Sequence, residues 1–134
     1  MKDSLLVDTN VISYIFNGHS LAYEYEKHLH ERTLLVAGQT VAELRLGGFS
    51  ANWGERRLNS LEAILSGFTA VYPNNTICTL WARLIASRSK LGRPLDESDA
   101  WIAATALALK VPLVTHNAKD FDFIDDLNII SESK

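Results

Sequence analysis

A single cysteine, Cys78, stands in a chain of 134 residues. No intramolecular disulfide can form, and no cysteine-based zinc site can be built. This suits a reducing compartment, and the expected location is the cytoplasm. Long hydrophobic runs are also missing. The first apolar stretch, Leu5-Leu6-Val7, stops at Asp8, and no segment approaches the ~20 apolar residues of a membrane span. Neither a signal peptide nor a membrane anchor is therefore expected. An excess of positive charge is absent as well: the formal net charge is −3. That argues against a general nucleic-acid coating protein, which is usually basic. It leaves room for an enzyme that lowers its net charge with a carboxylate cluster and holds phosphate with a local basic patch. No repeat, linker or low-complexity stretch interrupts the chain.

What is present is an ordinary globular composition, 47% hydrophobic and 22% charged. The length suits one compact domain over residues 1–134. Short, fully apolar segments alternate with helical ones. Leu5–Val7, Leu34–Ala37, Phe68–Tyr72 and Pro112–Val114 read as strands, with Asn128–Ile130 as a final edge strand. Helices are expected over Val11–Phe16, Leu21–His30, from Thr40 to Gly47-Gly48, over Glu55–Leu65, over Thr76–Leu91, and from Asp96 or Ser98 to Lys110. A short turn or helix is expected at Ala118–Phe121. Thr40 is a plausible N-cap with Glu43 completing a capping box. Short apolar strands separated by helices give an α/β fold whose central short parallel sheet is flanked by helices on both faces.

The acids fall at informative places. Asp8 directly follows the first strand, and Thr115-His116-Asn117 follows the fourth. In an open α/β sheet, ligands bind beyond the carboxyl ends of the strands. Glu43 lies on the helix after the second strand, and Asp99 in the first turn of a later helix. Carboxylates that converge repel one another and call for a hard divalent cation, Mg²⁺ or its substitute Mn²⁺. Each acid has a structural reading too. Asp8-Thr9-Asn10 is good turn chemistry. Asp96 is preferred as an N-cap, with Asp99 favoured by the helix dipole. Cys78 is expected to pack among apolar residues, and Trp81 and Trp101 to serve the core or a dimer interface. Trp53 is expected in an exposed loop. His28 and His30 are a poor metal pair; His116 is near the site and could touch a substrate, but a surface-loop role is the preferred reading.

Four segments, in order, resemble the PIN domain and specifically its VapC-type toxin ribonucleases: Leu5–Asn10 with Val11 and Ile12, Thr40–Leu44, Asp99–Ala108 and Leu113–Phe121. The resemblance spans nearly the whole chain. It implies a PIN-like α/β fold and Mg²⁺-dependent endonucleolytic cleavage of structured RNA, transfer RNA among the candidates, by metal-activated water. It also implies inhibition by a cognate antitoxin protein, and a homodimer. Residue by residue, Asp8, Glu43 and Asp99 match the family's core acidic positions and are the expected metal ligands. The family often carries Asp where Asn117 stands here. Asp120 is preferred as the fourth catalytic acid, with Asp96 a further candidate at the rim. Thr9, Asn10, Thr115 and Asn117 are expected to orient the acids. Arg88, Lys90 and Arg93 form the expected RNA-approach surface, since Arg suits phosphate through its forked guanidinium. A phosphatase of the haloacid-dehalogenase type is disfavoured because it needs a second Asp where Asn10 stands. The remaining alternative is a non-catalytic PIN-like module that binds RNA or protein without cutting.

Overall fold

The computed structural model describes residues 3–133. Five strands form one sheet: β1 (Ser4–Val7), β2 (Thr33–Ala37), β3 (Thr69–Val71), β4 (Leu113–Val114) and β5 (Ile129–Ile130), in the order β3-β2-β1-β4-β5. Every neighbouring pair is parallel; Leu5 stands opposite Leu34 and Leu6 opposite Leu113. The helices are α1 (Thr9–Asn17), α2 (Ala22–Leu29), α3 (Gly38–Ser50), α4 (Glu55–Leu65), α5 (Asn75–Lys90) and α6 (Glu97–Leu109), with a 3₁₀ turn at Ala118–Asp120. No helix among the described residues is long and apolar enough to cross a membrane.

Alternation along the strands explains the layering. Leu5 and Val7 point into one core with Val36, Val11, Ile12 and Leu61. Leu6, Leu35 and Leu113 point the other way, into a second core with Ala100, Ala103 and Phe121. Both faces are buried, which is why these strands read as unbroken apolar runs instead of alternating patterns. The small side chains Ala100, Ala103, Ala104 and Ala106 are buried on α6. Phe121, 0% exposed, fills the second core just after the 3₁₀ turn. Phe121→Ala should therefore cost about 3–5 kcal/mol, measurable as a lower denaturation midpoint, and should loosen the turn that carries Asp120.

Four local expectations are corrected. Helix α3 starts at Gly38, capped by Ala37, so Thr40 is not an N-cap. Its side chain is fully buried, and its hydroxyl faces Thr9 across the core. Gly47-Gly48 does not end α3, which continues to Ser50. Gly48 instead allows a close approach: a Cβ there would lie 2.9 Å from both Leu58 and Trp53. Trp53 is accordingly no free loop residue; it stacks on Phe16 at 5.2 Å and carries the Arg57 guanidinium at 4.1 Å. Cys78 is exposed, because α5 turns it away from the core. Trp81 and Trp101 stack on each other at 4.7 Å, half-buried.

Candidate functional site

The strand order reverses direction of winding between β1 and β4, so the crevice at their carboxyl ends is the natural site for a ligand. Asp8 leaves β1 there and caps α1. Its Oδ1 accepts the Thr9 backbone N–H at 2.7 Å, and its Oδ2 accepts the Thr115 hydroxyl, at the end of β4, also at 2.7 Å. Thr115 is itself positioned by the Asn117 N–H, which donates to its Oγ1 at 3.1 Å. Asn10 Oδ1 accepts the His116 N–H at 3.2 Å. The backbone thus ties the loop after β4 to the start of α1.

Glu43 comes from the second turn of α3. The Thr9 hydroxyl donates to its Oε1 and the Ser98 hydroxyl to its Oε2, both at 2.8 Å. Gln39 Nε2 donates to Ser98 Oγ at 3.2 Å. Neither Ser98 nor Gln39 stood out in the sequence as a site residue. The only available hint was that Ser98 directly precedes Asp99. Asp96 is the N-cap of α6, its Oδ1 accepting the Asp99 N–H at 3.1 Å. That leaves the Asp99 carboxyl to face the groove.

The groove has a volume of about 400 Å³ and is lined by Asp96, Asp99, Asp120, Arg88, Lys119 and Phe123, with Pro94 and Leu95 beside them. A hollow of about 590 Å³ on the α1–α4 surface, lined by Phe16, Arg56 and Arg57 among others, contains no carboxylate and lies away from these acids. Arg88 lies over the Phe123 ring, 3.6 Å from its centroid, and its Nε donates to the Arg93 carbonyl at 3.2 Å. Lys90, at the end of α5, and Arg93, in the following loop, are exposed. Other cations are engaged elsewhere: Arg45 forms a forked bridge to Glu62, and Arg57 donates to Asn17.

The electrostatics follow from this placement. Burial pushes the Asp99 carboxyl up to about 7, and the charges of Asp8, Asp96, Asp120 and Glu43 push the same way. Asp8 is also raised, first by burial and further by Glu43 and Asp120. Its hydrogen bonds from Thr115 and Thr9 oppose the rise. Four separate stretches of chain therefore act on one another through like charge. The expectation that three acids meet in one shared shell is not met in that form. Among the described residues no three His, Cys, Asp or Glu side chains converge tightly enough to be a ready-made metal site. Asp8 and Glu43 are each held by their own hydrogen-bond donors. The donor set nevertheless fits a hard cation. It consists of carboxylate oxygens, and Mg²⁺ commonly takes only one or two of these while keeping several waters.

Against known proteins, the sequence pattern described as the PIN domain matches residues 5–127. Ribonuclease VapC1 of Haemophilus influenzae (strain R2866) is 33% identical over 124 residues, covering 91% of this chain and 92% of that protein. Among solved structures, VapBC-1 from nontypeable Haemophilus influenzae superposes with a TM-score of 0.83 at 32% identity, over 96% of this chain and 97% of the other. VapBC2 from Rickettsia felis, bound to a DNA fragment from its promoter, gives a TM-score of 0.85 at 24% identity, covering 96% and 98%.

Proposed function

Starting from the fact that this chain belongs to the PIN domain family, we propose that it is the toxin ribonuclease of a toxin–antitoxin pair, a single PIN domain over residues 1–134. It cleaves phosphodiester bonds of structured RNA in the cytoplasm in a Mg²⁺-dependent reaction, with Mn²⁺ as a substitute. One observation carries the reading: the acids after β1, on α3, at the start of α6 and at the end of the 3₁₀ turn act on one another by like charge, and Asp96, Asp99 and Asp120 among them line one groove. Such a set is unfavourable without a cation, and a divalent ion relieves it.

Asp8, Glu43 and Asp99 are the residues that would hold the ion, with Asp120 at the mouth of the groove. Bound there, Mg²⁺ supplies positive charge for the scissile phosphate and lowers the pKa of the water that attacks it. The chain's own residues do the positioning. Thr115 and the Thr9 N–H fix both oxygens of Asp8, and Thr9 and Ser98 fix both oxygens of Glu43. Arg88 lines the groove, and its guanidinium lies over the Phe123 ring. With the exposed Lys90 and Arg93, it gives the phosphates of an approaching strand a positive edge.

The protein partner is the cognate antitoxin, supported by the likeness to VapBC structures. A homodimer is the expected assembly of the toxin itself. Leu46 and Phe49, both 63% exposed, supply apolar surface for a protein contact. Transfer RNA is the substrate to try first. The purified protein should cut a transfer RNA pool in Mg²⁺ and stop when a chelator is added. Tight RNA binding with no cleavage under Mg²⁺ or Mn²⁺ would favour the non-catalytic module instead.

A further inference from the structure

The 3₁₀ turn Ala118–Asp120 is a ridge between two hollows. The acid groove lies on one side. On the other is a cavity of about 540 Å³ lined by His116, Asn117, Lys119, Asp122, Glu132 and Ser133. Lys119 lines both. A strand of RNA lying across the acid groove therefore has a second concavity within one residue's reach, with an ammonium at the divide.

The wall of that cavity is built on a buried support. Tyr25 is 0% exposed, and its hydroxyl lies 2.6 Å from His116 Nδ1. The same hydroxyl accepts the Glu132 backbone N–H at 3.0 Å. It has one proton to give, and the other available acceptor, the Thr115 carbonyl, is 3.5 Å away. The short contact fixes the imidazole from its Nδ1 side. His116 thus presents the ring edge that carries Nε2 in a fixed orientation, away from Tyr25. Tyr14 packs edge-on against the same ring at 5.5 Å, and the His116 backbone N–H is held by Asn10. Neither the metal chemistry nor the core requires this arrangement of a half-buried histidine.

The charges say what fits. Asp122 and Glu132 contribute carboxylates to the wall, and Glu132 is paired with His28 at 2.6 Å. A phosphate would be repelled there. Polar groups of His116, Asn117 and Lys119 share this wall with the acceptors of Asp122 and Glu132, the mixture that the edge of an unpaired nucleobase requires. We propose that this cavity is a nucleobase subsite, receiving the base of a nucleotide next to the scissile phosphate. His116 contacts the base, Lys119 meets the intervening phosphate, and Tyr25 is a positioning residue that acts through His116. The proposal rests on the ribonuclease reading above.

The test uses labelled single-stranded RNA pentamers, one complete and others with a single abasic residue at each interior position. Binding is measured by fluorescence anisotropy in excess chelator, so that no cleavage intervenes. In the wild-type protein, one position should lose about tenfold in affinity when its base is removed. In His116→Ala the same removal should change nothing, because the base contact is already gone; Tyr25→Phe should weaken the coupling in part. Lys119→Ala, at an exposed position, should weaken every pentamer alike while keeping the abasic penalty. His116→Gln serves if the alanine variant melts too low. Equal abasic penalties in wild type and both His116 variants overturn the proposal, as does a wild-type protein that binds no pentamer. Cleavage of RNA in Mg²⁺ without this coupling removes the subsite and leaves the ribonuclease reading standing. Coupling without cleavage does the reverse.

Discussion

Asp99→Asn should abolish RNA cleavage while making the metal-free protein more stable. The loss in rate should be at least about 10³-fold, since a cation bound at such a site supplies several kcal/mol of charge stabilisation in the transition state. The gain in stability has the opposite origin. Asp99 is half-buried, and its carboxyl is pushed up to about 7 by burial and by the surrounding acids. At neutral pH and above, the folded protein must hold a charge that the unfolded chain hydrates freely. An amide of nearly the same shape removes that cost and keeps the Asp99 backbone N–H bonded to Asp96. After discounting for solvent screening at a half-exposed position, about 1–2 kcal/mol should be recovered at pH 8. That corresponds to roughly 3–8 °C in the thermal midpoint. An Asn variant that cuts RNA at the wild-type rate would remove Asp99 from the reaction. A variant that melts lower than wild type would show that its charge is not a burden.

The second large effect concerns pH and metal together. Asp99 sits above its ordinary value of 3.8, and Asp8 is raised in the same direction. Between pH 4 and pH 7, the folded state keeps protons that the unfolded chain has already released. Stability of the metal-free protein should therefore be highest at the acid end of that window, fall as the pH rises through it, and level off above about 7. Glu62 contributes with the opposite sign. Arg45 lowers its carboxyl, so its contribution is lost only on acidification below the ordinary carboxylate range. Millimolar Mg²⁺ at pH 8 should restore the lost midpoint, because an ion that binds only the folded state stabilises it by mass action. It should do little at pH 5, where protons compete for the same oxygens. Thermal scans at several pH values, with Mg²⁺ or chelator, check both halves. A midpoint indifferent to Mg²⁺ at pH 8 would count against a cation in this groove.

Much of the site was legible because its anchors obey local rules. Leu5–Val7 followed by Asp-Thr-Asn is a strand that must stop, and the acid at the stop lies at a sheet's carboxyl edge. Asp96 could be read as a cap from its spacing to Asp99, and the structure has that hydrogen bond. The errors arose where a local rule met a tertiary one. Thr40 carries the composition of a cap, yet its hydroxyl turned inward to Thr9, a partner 31 positions away. Gly48 looked like a helix terminator, but α3 and α4 need it for their close approach. The partners of the acids were the least visible. Ser98 and Glu43 are 55 residues apart, and Tyr25 and His116 are 91 apart. Such pairs are fixed by strand order, and strand order does not follow from periodicity.

The double duty of Asp8 bears on how an inert form of the protein should be made. The carboxylate that would grip the ion also closes the first turn of α1 by accepting the Thr9 N–H. Truncating it to alanine strips that turn of its acceptor and leaves the Thr115 hydroxyl with nothing to donate to, so lost chemistry and a frayed helix would arrive together. Asparagine keeps an oxygen for the turn while withdrawing the negative charge. A quiescent stand-in meant for trapping intact RNA, or for safe production in living cells, is therefore better built with the amide at position 8.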